Sequence, residues 1–161
     1  MKMIVAVDKH CGIAKEGSMP WKVPEDWKMF KRLTKGEGNN AVVMGRKTSE
    51  SLPNGLYLPG RHNIILSKQN KANGDEWEFV KGIENIDTSK YEEVWIIGGA
   101  QVYTQFLESG KVEEIHVSII PEDYNCDQFF PMDLLHRCGF QLDIIENMDT
   151  FAHLIYTRRF I

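Results

Sequence analysis

The sequence predicts one α/β domain: a mostly parallel central sheet of about eight strands, with an antiparallel C-terminal edge strand. Three observations predict it. Short, nearly unbroken apolar runs recur early in the chain: MIVAV at 3–7, AVVM at 41–44, NIIL at 63–66 and VWII at 94–97. Strands buried on both faces of a parallel sheet read this way. Stretches with helical spacing fall between several of these runs, as an α/β order requires. Late in the chain, 140–146 and 154–160 alternate apolar and polar residues, as a half-exposed antiparallel pair would.

Each element has its own local reason. Met3 to Val7 is β-branched and ends at Asp8. Asp8 to Val23 then runs without a period, broken by Gly12, Gly17 and Pro20, and reads as a long functional connection. Pro24 opens a helix with Glu25 and Asp26 in its first turn, Trp27, Phe30 and Leu33 as its apolar stripe, and Gly36 at its end. The Gly- and Asn-rich stretch 35–40 reads as a flexible loop. After the strand 41–44, Gly45 leads into a short helix through Leu52. Asn54-Gly55 and Pro59-Gly60 mark turns. The strand 63–66 is followed by a polar loop over 67–74, a candidate short strand at 78–80 and a weakly patterned helix at 83–90. Past the strand 94–97, Gly98-Gly99 precede an amphipathic helix carrying Val102, Tyr103, Phe106 and Leu107, and 114–120 is a further strand.

Composition narrows the function. The chain has 161 residues and 18.6 kDa, enough for one domain with a sizeable core, and the domain is expected to span 1–161. Hydrophobic residues make up 42% and charged residues 26%, which argues against disorder. The formal charge is 19 − 23 = −4, which gives no support for nucleic-acid binding and means that an anionic ligand needs local cations. Cys11, Cys126 and Cys138 are odd in number and lack CxxC spacing, so neither a disulfide framework nor a zinc ribbon is indicated. The five histidines lack HxxxH or HExxH spacing, and no metal site is expected. No apolar stretch has the length of a secretory or membrane segment, so the expectation is a cytoplasmic protein without membrane contact. Small size and the lack of an obvious apolar surface helix make a monomer the default.

Four features could carry chemistry, and each has a plainer reading. Asp26 shares a helix face with Phe30 and Leu33, where desolvation would raise its pKa; the plainer reading is an acid complementing the helix dipole. Gly98-Gly99 would let backbone approach a phosphate at a helix start; the plainer reading is a turn that needs glycine for its dihedrals. Gly45-Arg46-Lys47-Thr48, with Lys68 past the next strand, offers N–H groups, cations and a hydroxyl to a second phosphate; ordinary surface charge reads the same. Arg61 follows the rigid turn Leu58-Pro59-Gly60 and could hold a carboxylate bidentately, or lie on the surface.

Their joint order resembles dihydrofolate reductase over the whole chain. The resemblance rests on Met19-Pro20-Trp21, then Pro24, Asp26 and Phe30, then Val43-Met44-Gly45-Arg46-Lys47-Thr48 and Leu58-Pro59-Gly60-Arg61. It continues through Asn63-Ile64-Ile65-Leu66-Ser67, Ile97-Gly98-Gly99-Ala100-Gln101-Val102-Tyr103 and Phe130-Pro131. It implies a three-layer fold and NADPH-dependent reduction of 7,8-dihydrofolate, in one-carbon and thymidylate metabolism. In that reading Asp26 binds the pterin 2-amino group and N3, with Ser118 sharing its hydrogen bonds and Trp21 near the pterin. Ile4, Val5, Ala6, Trp27, Phe30, Leu52, Leu58 and Ile97 line the substrate pocket, and Arg61 holds the α-carboxylate of the glutamate tail. Met19 closes over the nicotinamide, which Ala6, Ile13 and Tyr103 border. The resemblance also assigns Gly45, Arg46, Lys47, Thr48, Leu66, Ser67, Lys68, Gly98, Gly99, Ala100, Gln101 and Val102 to NADPH, with a cis peptide at the glycine pair. Antifolates of the trimethoprim and methotrexate type would be further ligands.

The chain departs from the pattern at Ala14, where relatives usually carry Gly, at Gln101, where many have a basic residue, and at Ser49 and Trp27. Two other readings stay open. One is a reductase of the same fold acting in riboflavin synthesis, whose substrate has no glutamate tail for Arg61. The other is a non-catalytic NADPH-binding structural module, which needs neither Asp26 nor Arg61.

Overall fold

A computed structural model of the chain describes residues 1–158. In chain order the elements are β1 (Lys2–Val7), β2 (Gly12–Ala14), α1 (Pro24–Lys35), β3 (Ala41–Gly45), α2 (Arg46–Ser51), β4 (His62–Leu66), β5 (Trp77–Val80), β6 (Val94–Gly98), α3 (Ala100–Ser109), β7 (Glu114–Ile119), β8 (Gln128–Phe129), α4 (Met132–Arg137), β9 (Phe140–Asn147) and β10 (Ala152–Arg158). Eight strands form one sheet in the order β5-β4-β3-β6-β1-β7-β10-β9. All neighbours pair in parallel except those of β10, which runs antiparallel to both β7 and β9. The antiparallel strand thus lies one place in from the edge, because β9 pairs on its outer side.

The unbroken apolar runs are the central strands, and their two faces feed two cores. On β3, Val42 and Met44 pack with Ile4, Trp95, Phe30 and Leu33 beneath α1. Ala41 and Val43 face the other way, into a cluster with Val102, Tyr103 and Phe106 of α3 and Leu135 of α4. The result is three layers, α1 on one face and α3 with α4 on the other.

Several expectations are corrected. The long connection 8–23 contains β2, which pairs with β8 as a separate two-stranded ribbon. The helix expected at 83–90 is two short 3-10 turns, Ile83–Asn85 and Thr88–Lys90. The apolar stripe of α1 holds at Phe30 and Leu33 but not at Trp27, which stays 43% exposed and stacks on Phe30, and Met29 and Thr34 are the fully buried residues of the helix. Asn40, at the end of the expected flexible loop, is buried, and its side-chain carbonyl accepts from the Glu93 N–H. The last strand was expected to reach Phe160, which lies outside the described residues.

Candidate active site

Parallel strands put their carboxyl ends at one rim, so Gly45, Leu66, Gly98, Val7 and Ile119 lie along it. Ligands of such sheets bind outside that rim. The α1 side carries the acid. Asp26 sits in the first turn of α1, and Ser118 of β7 hydrogen-bonds its carboxylate. Burial raises the Asp26 pKa above the ordinary carboxylate value, and the bond from Ser118 only partly offsets it. A carboxyl group so placed can hold a proton or pair with a cationic ligand group.

The apolar wall around it comes from several elements. Ile4, Phe30, Leu52, Leu58 and Ile97 share one cluster, and Ala6 and Trp21 belong to the neighbouring one. The indole Nε1 of Trp21 is buried without a hydrogen-bond partner among the described residues, a donor left for a ligand. Val5 is a correction. Strand alternation turns its side chain to the α3–α4 core, so only its backbone can face the site. Ile13 also packs in that core, and Met19 is half exposed.

Arg61 is not a surface arginine, being only 7% exposed. Its Nε and Nη2 donate to the Pro59 carbonyl at 3.1 and 2.8 Å, and Nη1 donates to Thr34 Oγ1 at 3.1 Å. Burial lowers its pKa and Glu76 opposes that, but a guanidinium remains charged. The turn before it is tied by Asn63, whose amide donates to the Leu58, Arg61 and Glu76 carbonyls while its oxygen accepts from the Leu58 N–H. Sequence reading missed both Thr34 and Asn63. A lone Asn before an apolar run carries no signal of four converging bonds.

The two strand-to-helix turns meet at the rim. Met44 of β3 is opposite Gly98 of β6, and the Gly98-Gly99 peptide is cis. A Cβ on Gly99 would come within 3.5 Å of Thr48 Oγ1, and one on Gly45 within 3.2 Å of Val102. The missing Cβ of Gly45 thus makes room for Val102 of α3, and Gly99 lies close beside Thr48. Gly98 has φ 126°, with the Tyr103 hydroxyl 3.3 Å from its ideal Cβ. That hydroxyl donates to the Ile4 carbonyl at 2.8 Å, and burial pushes its pKa far up, so it stays protonated. Ala100 and Gln101 begin α3. The basic group is looser than expected. Arg46 donates to Glu50 at 2.8 Å one helical turn on, whereas Lys47 and Lys68 are exposed. Ser67 is buried, and its hydroxyl accepts from the Gln69 N–H. Leu66 is half-buried against the α3-side core.

The segment 8–19 is pinned by Asp8. Its Oδ1 accepts from the His10 and Gly12 N–H groups, and Oδ2 from the Tyr124 N–H. Among the described residues no group of three or more His, Cys, Asp or Glu is arranged to hold a metal. No helix there is long and apolar enough to cross a membrane.

A family model described as dihydrofolate reductase matches residues 1–142. A dihydrofolate reductase of Staphylococcus haemolyticus is 37% identical over 82% of this chain and 76% of its own length. One of Aedes albopictus is 35% identical over 80% of this chain and 77% of its own. A bifunctional dihydrofolate reductase-thymidylate synthase of Daucus carota is 33% identical over 98% of this chain. The chain spans about a third of the length of that bifunctional relative.

Proposed function

The chain belongs to the dihydrofolate reductase family, and from that membership we propose that it reduces 7,8-dihydrofolate to tetrahydrofolate with NADPH. The observation that carries the reading is the pairing, on one side of the sheet, of a half-buried acid that hydrogen-bonds Ser118 with a buried arginine held against Thr34 of the same helix. A planar heterocycle with hydrogen-bond donors at one end and a carboxylate at the other is the ligand that both ends suit.

In this reading Asp26 accepts from the 2-amino group and N3 of the pterin, with Ser118 fixing its orientation. Its charge favours a proton at N5, where a neutral imine is a poor hydride acceptor. Trp21 Nε1 supplies a donor near the same ring. Phe30, Leu52, Leu58, Ile4 and Ile97 sandwich the ring system and exclude water, with Trp27 stacked on Phe30 at the mouth. Arg61 takes the α-carboxylate.

The residues at the rim fit NADPH. Gly45 and the Gly98-Gly99 turn would offer backbone to a phosphate, and Thr48 a hydroxyl. Lys47 and Lys68, which make no ion pair among the described residues, would serve a 2′-phosphate, with Ser67 and Leu66 next in the chain to Lys68. Ala6 and Tyr103 border the ring. When bound, the cofactor supplies a hydride to C6 of the substrate. The protein's work is alignment of two rings and exclusion of water. Antifolates of the trimethoprim and methotrexate type would occupy the Asp26 pocket. The domain spans the whole chain, acting as a monomer in the cytoplasm.

The test is NADPH consumption with 7,8-dihydrofolate by native protein and by Asp26→Asn. Loss of near-UV absorbance, strongly reduced in the variant above neutral pH, is the expected result. No consumption by folded protein that still binds NADPH would move the reading to another reductase substrate or to a binding module.

A further inference from the structure

Beneath α1 a file of polar side chains leads away from Asp26 through the sheet, and nothing in the reaction above uses it. Glu114, His116 and Ser118 alternate on β7 and so share the α1 face. Ser118 touches Asp26. On β10, His153 stands directly opposite Ser118. Its Nε2 lies 2.8 Å from Nδ1 of His116, with the two rings stacked at 25°. His116 Nε2 donates to Glu114 Oε2 at 2.9 Å. Lys2 of β1 pairs with Glu114 at 3.3 Å and also with Glu93, and the Trp95 ring of β6 meets His116 edge-on. Both histidines are buried, at 6% and 4% exposure.

This geometry admits one extra proton and no more. With His116 Nε2–H held by Glu114, a neutral His116 offers Nδ1 as acceptor, and His153 Nε2–H donates to it. An added proton enters at His153 Nδ1, and the shared proton can then sit on either ring: left on His153 Nε2, or passed to His116 Nδ1 so that His116 donates through both nitrogens. A second proton would set two N–H groups against each other across 2.8 Å.

We propose that the His116–His153 pair is a positioning element for the Asp26–Ser118 group, taking up one shared proton whose charge acts on the carboxylate at the other end of the same buried face. The charged groups facing the pair are Glu114 on its own strand, Lys2 on β1, Glu93 before β6, Glu146 on β9 and Arg32 on α1; Asp26 lies one residue further, bonded to the Ser118 that stands opposite His153. Burial and His116 hold the His153 pKa down, Arg32 acts the same way, and Glu146 and Glu114 oppose them. Water is largely excluded between the pair and Ser118, so the interaction is weakly screened. As pH falls, the pair and Asp26 compete for protons, and whichever binds first discourages binding at the other through its charge. A charged pair keeps Asp26 ionised to lower pH than an uncharged one would.

The inference rests on the reading of Asp26 as the pocket acid for its effect on turnover, but its first test does not. The carboxyl carbon of Asp26 and the ring nitrogens of both histidines are followed by NMR against pH in the free protein. The same titration is run on His153→Gln and His116→Gln. In native protein the Asp26 curve should show a second inflection at the midpoint of the imidazoles. In either variant that inflection should vanish and the Asp26 midpoint should rise by about half a unit or more. The midpoint of the pH profile of kcat should rise with it. A single-site Asp26 curve in native protein, with no inflection shared with the histidines, overturns the proposal, whether or not the variants fold. So does an unchanged midpoint in two folded variants. Absence of turnover with coupled titrations present would fault the reading of the reaction and leave the coupling standing.

Discussion

A half-buried carboxylate costs the fold something, and Asp26 shows which way. Its pKa is raised by burial relative to an exposed aspartate, so the folded protein binds that proton more tightly than the unfolded chain does. The stability linked to it is present in full below the unfolded value of 3.8 and is lost as pH rises through the folded value. At neutral pH the ionised group is therefore a liability that the substrate, and not the fold, requires. Asp26→Asn should lower turnover and yet raise the thermal midpoint at pH 7 by about 2–4 °C, the effect of about 1 kcal/mol in a chain of this size. Calorimetry at pH 7 and at successively lower pH checks this, since the gain should shrink as falling pH protonates Asp26. A variant less stable than native at every pH would show that the carboxylate is held by the fold for its own sake.

At the scale of elements, the ribbon formed by β2 and β8 depends on one side chain. Burial would raise the Asp8 pKa, but the N–H groups of Gly12, Tyr124 and His10 and the Cys126 thiol outweigh it and hold the carboxyl below the ordinary range. Cys126 is pushed up to about 11 by burial and by Asp8, so it stays a thiol. A lowered pKa means that this contribution stands above pH 3.8 and is lost as pH falls through the folded value. Asp8→Ala should cost about 1–3 kcal/mol by orphaning buried N–H groups. Hydrogen exchange should quicken at Gly12 and Tyr124, with the central strands unchanged. Uniform loss of protection would instead mark Asp8 as part of the global core. This ribbon also shows where sequence reading stopped. Strands with unbroken apolar runs were legible because both their faces are buried, and so was α1, from Pro24 and Gly36. β2, β8 and the six-residue α4 were not, since two to six residues carry no period and their pairing depends on a side chain over a hundred positions away. The closeness of His116 and His153 is not legible, because only the antiparallel register of β7 and β10 brings them together. Asp26 and Arg61 stand out from their local sequence, and the resemblance gives them their roles and adds Ser118. That Arg61 is buried against Thr34 could not be read without the fold.

The whole molecule carries a formal charge of −4, so its overall field opposes an anionic cofactor, and any attraction must be local. At the rim, Arg46 already spends its charge on Glu50, while Lys47 and Lys68 are exposed and make no ion pair among the described residues. These two lysines are then the groups left to distinguish a cofactor with a 2′-phosphate from one without. Native protein should prefer NADPH to NADH. The double variant Lys47→Gln, Lys68→Gln should raise KM for NADPH about tenfold, the equivalent of about 1.4 kcal/mol, and leave KM for NADH nearly unchanged. Added salt should erode the native preference, because exposed charges are screened within about 10 Å at 0.1 M ionic strength, and should have little effect on the double variant. Replacing Arg46 alone should do less than replacing either lysine, since its guanidinium is already engaged by Glu50. Steady-state kinetics with both cofactors at two salt concentrations measures all of this. Equal KM values for NADPH and NADH in the native protein would show that the rim lysines lie too far from the phosphate to matter, and that cofactor choice rests on the backbone of the two glycine turns.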